Sequence, residues 1–463
     1  MHVDLDLAAI NSIDTAVSPP KVTVQPFAVI TPAPVDATVM RARGLFVTTQ
    51  TVSSGFIMNM RPFYDLLSAL GAVTVNTNAQ TYFNINGVAY TGAAGLAALA
   101  VLTENTPVAA FGTLDSLSGI TPSFNATSIY VGTSLESELA EYVSGVVASR
   151  SGDTLEVLGA TYHSPTGGVL YLSSLPVVLG SATVVSEDGV AAQGLDSTSV
   201  SVGQQITVSG QAQLNSSTGA VTDLDATAGQ VRLASARLWG TLNSAIKGSA
   251  SLDLLSIGGF ASSGFNFAGT GAGGHNATAA AYAVNTGVLD ESAVATSTLL
   301  QVDGIVSPFG TAPPDFTATA VTPGSSTPQQ LVVEWVNGGA TAPFTRTSSA
   351  GLVVNLANAD LGTVHYIRTG PATTAAATID LKSLRASPLI TTTGANPNDL
   401  QLAVGSTALT TGVSVFNSAA AFATALSSAF NGTNKIYRLV AVGQYDSATN
   451  TFVASRIHVA LHE

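Results

Sequence analysis

Phe124-Asn-Ala-Thr-Ser-Ile129, Phe316-Thr-Ala-Thr-Ala-Val321 and Phe452-Val-Ala-Ser-Arg-Ile457 are three versions of one phrase: Phe, any residue, Ala, two more residues, then an aliphatic. A looser copy, Leu233-Ala-Ser-Ala-Arg-Leu238, keeps the apolar ends with small residues between them. Each copy follows an alternating apolar stretch that carries a glycine: Gly112, Gly210, Gly304 or Gly443. Residues two apart on a strand share a face, so the Phe and Ala of each phrase are expected to enter a core together. Self-similarity of this kind marks a structural unit used more than once, here about four times. Successive copies start 109, 83 and 136 residues apart by subtraction of residue numbers. That is too uneven for a solenoid, whose stacking requires a fixed period.

The first unit, residues 38–131, is the most regular. Period-two alternation gives strands at Val39–Thr49, Phe56–Met60, Val73–Thr77 and Tyr82–Ile85, and Asn86-Gly87 is a hairpin turn signal. Ala93–Leu102 reads as a short helix with Leu96 and Leu99 on one face, closed by Pro107. The glycine strand Val108–Leu114 and the phrase strand Phe124–Val131 complete the unit. The fourth unit, residues 329–463, repeats the second half. It has strands at Leu400–Val404 and Val413–Phe416, a cap at Asn417-Ser418 and a helix carrying Phe422, Leu426 and Phe430 at a spacing of four. Asn431-Gly432 is its expected stop, followed by Ile436–Tyr445 and the phrase strand. The second unit (139–238) and third (239–321) are less regular. The second reads as six strands with only a turn near Leu195–Val200 in the helix position, and its phrase strand runs straight into Trp239.

The order β-β-β-α-β-β resembles the OB-fold, a five-stranded barrel. The glycine strand followed by Phe-x-Ala-x-x-Ile is similar to uncharacterised OB-like repeat domains of bacterial exported or lipid-anchored proteins. The likeness covers the second half of each unit best, about half of the chain. It implies export and binding or scaffolding roles, and it brings no catalytic residues with it.

Two linkers punctuate the chain: Thr322–Pro328, rich in Pro, Gly and Ser, and Gly132–Ser137. Residues 1–37 form an extended N-terminal arm, because Pro19, Pro20, Pro26, Pro32 and Pro34 disfavour helix. Such an arm is either a loose leader or a segment that docks on a neighbouring subunit by strand addition.

Only 9% of residues are charged, against a usual ~25%, and 46% are hydrophobic, which argues against disorder. Thr, Ser, Val, Ala and Gly must therefore make up much of the surface. The net charge is −13 and there is no basic run, so phosphate neutralisation of nucleic acid has no footprint. With no cysteine, disulfides and thiolate chemistry are excluded. No apolar run is long enough for a transmembrane helix. The start, Met1-His-Val-Asp-Leu-Asp6, lacks the pattern of a leader peptide, which with the surface composition suggests a mature exported protein.

Candidate chemistry is sparse. Gly269-Thr-Gly-Ala-Gly-Gly274 fits the dinucleotide fingerprint in letters, but that site needs a strand before it and a helix after it, so a glycine-rich loop is expected. Ser244-Ala-Ile-Lys247 fits S-x-x-K without the K-T-G strand its chemistry requires. His458 and His462, four apart on an expected strand, are too distant to share a metal. Asp4/Asp6 and Asp223/Asp225 are D-x-D pairs that suit Ca²⁺ with loop carbonyls, against the plainer expectation of a solvated polar face. Trp239 and Trp335 are either sugar platforms or packing residues at module joints. Asn125 and Asn276 lie in Asn-x-Ser/Thr sequons of the kind a Ser/Thr-rich chain produces by chance.

The expectation is an all-β protein with short helices: about four tandem OB-like barrels behind an extended arm, with no catalytic, cofactor or metal residues assigned. The expected function is a non-enzymatic, extracellular or cell-surface structural protein of bacterial origin. It would self-assemble through strands and apolar Thr/Ser-rich faces. The alternative is an oligosaccharide- or peptide-binding surface lipoprotein.

Overall fold

The computed structural model describes residues 2–6, 11–14, 21–24, 27–31, 40–50, 54–61, 70–116, 121–135, 141–164, 168–191, 194–289, 294–336, 339–370, 378–392, 400–405, 410–416, 418–430 and 434–462. The chain divides into two compact units, Met1–Val35 with Thr322–Glu463, and Asp36–Val321.

Asp36–Val321 contains three sheets, each closed into a small barrel of five principal strands. In the first these are Met40–Gln50, Gly55–Met60, Gly71–Asn76, Pro107–Ser116 and Ser123–Val131. They ring in the order one, two, three, five, four and back to one. The third and fifth run parallel, with Phe124 opposite Val75. Glu141–Ser151, Thr154–His163, Ser174–Val178, Gln205–Leu214 and Val221–Ala234 repeat the ring, with Leu224 parallel and opposite to Val177. Ala236–Ile246, Ser249–Ile257, Tyr282–Asn285, Leu299–Val306 and Phe316–Pro323 repeat it again, with Phe316 opposite Val284.

A parallel pair needs a crossover between its strands. In the first barrel this includes the hairpin Tyr82–Ile85/Val88–Thr91 and the helix Ala93–Ala100. The hairpin turns at Asn86 and Gly87, whose φ values of 50° and 84° fit a two-residue turn of the primed type. The helix buries Leu99 and packs Leu96 against the same core. It ends at Ala100, so Pro107 opens the fourth strand and does not stop the helix. The second barrel has the short 3-10 turn Ser197–Ser199 in that position, capped by Asp196.

The repeated phrase has a steric cause. A Cβ added to Gly112 would lie 2.0 Å from the Asn125 carbonyl oxygen and 2.9 Å from the Ala126 Cα. At Gly304 the equivalents are Thr317 O at 2.1 Å and Ala318 Cα at 3.0 Å, and at Gly443 they are Val453 O at 2.0 Å and Ala454 Cα at 2.7 Å. The glycine of the fourth strand and the Phe-x-Ala of the fifth are thus two sides of one contact. The ladder slips register at Phe111/Gly112 and at Val442/Gly443, as a bulge that coils the sheet does. Phe124, Phe316 and Phe452 are each at most 3% exposed.

This contact relocates the fourth copy. A Cβ on Gly210 would meet Asp225 O at 2.4 Å and Ala226 Cα at 3.2 Å, so the second barrel's phrase is Leu224-Asp-Ala226. The hexapeptide Leu233–Leu238 instead spans the junction where one strand ends at Ala234 and the next begins at Ala236. Sequence inspection followed apolar spacing, and Leu in place of Phe hid the true copy. First-strand glycines form a second close approach: a Cβ on Gly44, Gly145 or Gly240 would lie 2.0, 2.6 or 2.8 Å from the second-strand carbonyl of Asn59, Leu158 or Asp253.

The fourth sheet keeps the pattern with an insertion. Gln329–Trp335 pairs with both Leu361–Thr369 and Lys435–Asp446, and the last strand, Thr451–His462, follows. Leu389–Thr392 and then Leu400–Gly405 run parallel to it, with Ile390 opposite Phe452 and Leu400 opposite Ile457. The hairpin Phe344–Ser348/Gly351–Val354, unforeseen from sequence, pairs with Leu389–Thr392, whereas Leu361–Thr369 takes the second strand's place beside the first, and no pairing among the described residues joins the two ends of this sheet. The Ser418 hydroxyl accepts a hydrogen bond from the Ala421 amide and caps the helix Ala419–Ala429. That helix buries Phe422 and Leu426, with Phe430 half-buried at its end. Asn417 and the expected stop at Asn431-Gly432 lie outside the described residues.

Thr322–Pro328 is short and ordered: the strand runs to Pro323, a 3-10 turn covers Gly324–Ser326, and the next strand starts at Gln329. In the arm, His2–Asp6 pairs with Phe27–Thr31 and Asn11–Asp14 with Lys21–Val24, while its five prolines lie outside the described residues.

Candidate functional site

The polar residues that strands turn outward from the first two barrels meet each other. Tyr130 lies between the core residues Ile129 and Val131, and Arg232 between Val231 and Leu233. The alternation that buries their neighbours therefore directs both to the outside of their own barrels. The Arg232 guanidinium stacks 4.8 Å over the Tyr130 ring, its Nε lies 3.1 Å from Asp188 Oδ1, and its Nη1 donates to the Ser134 carbonyl at 3.2 Å. The Tyr130 hydroxyl donates to Asp188 Oδ1 at 3.2 Å. Beside them Tyr82 donates to the Glu187 carbonyl at 3.0 Å, and Asn84 Nδ2 donates to the Tyr82 hydroxyl and to Ser186 Oγ. Gln230 Nε2 donates to Thr133 Oγ1, and Gly87 has no room for a Cβ beside the Gln230 side chain.

Burial raises Asp188 to about 6, and the Glu187 carboxylate adds to the rise. The Tyr130 hydrogen bond pulls the other way, as does Arg232 at 3.1 Å. Burial also lowers Arg232 and raises Tyr130 and Tyr82. Breaking one partner of a buried pair leaves an uncompensated charge, so this cluster favours one orientation of barrel two on barrel one.

The second and third barrels are joined more tightly. Val146, Ala148 and Val202 of the second belong to the core cluster of the third. Gln204 is fully buried. Its Nε2 donates to the Gln205 and Ala234 carbonyls, and its Oε1 accepts from the Val306 amide. Arg150 donates to the carbonyls of Gly152, Ser197 and Val200 and lies 4.8 Å from the centre of the Phe309 ring, which comes from the third barrel. The Phe309 amide donates to the Thr198 carbonyl.

The residues singled out from sequence do not come together. Trp239 and Trp335 are buried, so neither is an exposed sugar platform. Gly269–Gly274 is a loop with a 3-10 turn, ordered by Asn276 Oδ1, which accepts from the Gly269 and Gly271 amides. Ser244 lies on a strand and Lys247 in the turn after it, where no helix presents the serine. His458 is buried on the last strand, and the His462 side chain lies outside the described residues. Asp225 accepts from the Thr227 amide and hydroxyl, and Asp223 from Thr222. The side chains of Asp4 and Asp6 lie outside the described residues. Asn125 sits on a strand beside Asp115 and Asn76. No group of three or more metal-ligating side chains occurs among the described residues, and no helix among them is long and apolar enough to cross a membrane.

Among the described residues, one shallow groove of 450 Å³ has Gln211, Asp225 and Gln230 on its walls; another, of 480 Å³, lies between the inserted hairpin and the last helix and is lined by Ser, Thr and Ala. Sequence inspection missed Tyr82, Tyr130, Asp188, Arg150, Gln204 and Arg232. The available signal was a long polar side chain between two core aliphatics, as in Val231-Arg232-Leu233. Compared with protein-family models, curated proteins and solved structures, the chain gives no match.

Proposed function

We propose that the barrels are OB-like modules in tandem and that the chain is a non-enzymatic, extracellular structural protein. It would be a subunit of a surface, matrix or filament assembly of bacterial origin. The observation that carries the proposal is the construction of the joints. Gln204 of barrel two accepts a buried hydrogen bond from the Val306 amide of barrel three, Arg150 of barrel two lies over the Phe309 ring of barrel three, and barrel three's core includes side chains of barrel two. Domain interfaces within a chain usually permit motion unless they are extensive and apolar, so fixed joints fit a load-bearing spacer. Strand topology supports the OB-like assignment: five strands ringed one-two-three-five-four, with three and five parallel. A low-charge surface without cysteine suits export and self-association through Thr/Ser-rich faces. Size-exclusion chromatography with negative-stain imaging at micromolar concentration is expected to show ordered multimers; a strictly monomeric protein contradicts assembly.

The second proposal is a surface lipoprotein that binds a peptide or an oligosaccharide. It is favoured by the edge strand Val169–Tyr171, whose three side chains are all exposed. An edge strand can accept an extended peptide by main-chain pairing. Peptide-library and glycan-array screens distinguish the two proposals.

A further inference from the structure

One outer face of the fourth barrel is buried. Leu331, Val333, Leu439, Ala441, Ile457, Val459, Leu400 and Leu402 fill its core, so the residues that alternate with them point away from it. Cross-strand pairing aligns four of these, Val332, Val440, His458 and Gln401, in one row. All four are less than a tenth exposed, as is Ala460 next to them. Gln401 and His458, with Tyr437 and Arg456 on the same two-strand neighbourhood, are all engaged in polar or ring interactions. The helix Ala419–Ala429 packs on the inserted hairpin and on the strands Leu400–Gly405 and Thr410–Phe416.

The compact unit that contains this barrel also contains Met1–Val35. That segment supplies two strand pairs, in whose register Val3 stands opposite Ile30, Leu5 opposite Ala28 and Ile13 opposite Val22. A two-stranded pair is marginal alone and needs a surface to pack on. Charge agrees as well: residues 1–35 hold Asp4, Asp6 and Asp14 against Lys21. The barrel strands bring Arg368, Arg438 and Arg456 to the same side as the buried row, with Glu334 as the acidic partner of Arg438.

We propose that this face, centred on Val332, Val440 and His458, is the seat of the N-terminal segment Met1–Val35. The segment serves as a detachable cover: seated on its own barrel in a lone molecule, and able to occupy the identical face of a second copy. The exchange between copies rests on the assembly proposed above; the seat itself does not.

The absence of native cysteine makes the test specific. The full chain carrying Gln330→Cys, at the exposed rim of the face, is labelled with a benzophenone maleimide, illuminated and mapped by mass spectrometry. Cross-links into residues 1–35 are expected. Cross-links that all fall outside residues 1–35 overturn the proposal. A second full-length variant, Val440→Arg, is expected to raise the protease sensitivity of residues 1–37 several-fold with barrel circular dichroism unchanged. Unchanged sensitivity in a folded Val440→Arg protein also overturns the proposal. Mixing isotopically light and heavy chains separates the two claims. Cross-links only within one isotope, from a monomeric protein, uphold the seat and contradict assembly; mixed-isotope cross-links uphold both.

Discussion

Gly304→Ala adds one methyl group to the third barrel, and the geometry sets its cost. The new Cβ would lie 2.1 Å from the Thr317 carbonyl oxygen, 2.7 Å from the Phe316 ring and 3.0 Å from the Ala318 Cα. A carbon and a carbonyl oxygen need more than 3 Å, so the fourth and fifth strands must part by about 1 Å where they close the barrel. Overpacking of this kind costs ~1–3 kcal/mol, and a weakened ladder hydrogen bond adds ~1 kcal/mol. A loss of about 2–4 kcal/mol is therefore expected. Gly168→Ala is the control, because among the described residues its Cβ would meet nothing closer than 3.7 Å and its φ is not positive; its effect should stay within ~0.5 kcal/mol. Urea unfolding of the full chain can be followed by Trp239, which is buried on the first strand of the same barrel, in a Trp335→Phe background. If Gly304→Ala unfolds at the same midpoint as its parent, or Gly168→Ala loses as much, then the glycine–Ala contact does not close the barrel.

Other substitutions probe the cores and joints. Phe316→Ala removes a fully buried ring and should cost about 3–5 kcal/mol in the same assay. Gln204→Leu leaves the Val306 amide and one bond of the Ala234 carbonyl unmatched, for a loss of about 2–4 kcal/mol, and differential scanning calorimetry should show barrels two and three no longer melting together. Asp188 titrates near 6 in the folded protein and at 3.8 when unperturbed. Its burial thus lowers stability above pH 6, and the penalty lifts as pH falls through that value. Relative to Asp188→Asn, the wild type should gain about 1–3 kcal/mol between about pH 8 and about pH 4, measured by urea midpoints at each pH; a flat difference contradicts the burial of that carboxylate.

Much of the fold was legible because strand alternation is written locally. The hairpin at Asn86-Gly87, the helix at Ala93 and the buried Phe of each phrase depend on near neighbours and turn chemistry. What escaped depends on contacts distant in sequence. Gly210 selects Leu224-Asp-Ala226 through a cross-strand contact, whereas apolar spacing alone points to Leu233–Leu238. The hairpin at Phe344–Val354 has ordinary strand composition, and only its pairing with Leu389–Thr392 shows that it extends the fourth sheet. The joints were hidden for the same reason: Tyr130, Asp188 and Arg232 are far apart along the chain, and each alone resembles a solvated residue on an outward face. Nothing local distinguishes Trp239 as a packing residue from Trp239 as a sugar platform; burial does.

Amide hydrogen exchange across the full chain bears on whether one barrel plan is used four times. In the three closed barrels the fourth and fifth strands pair within the ring, and Lys435–Asp446 pairs with Thr451–His462 in the fourth sheet, so these amides should exchange slowest: around Ala110 and Ile129, Val208 and Val231, Val302 and Phe316, and Val440 and Val459. Equal, deep protection in all four sets is the expected result. Fast exchange through Val221–Ala234, or through Thr451–His462, while the other modules stay protected would contradict the repeated barrel.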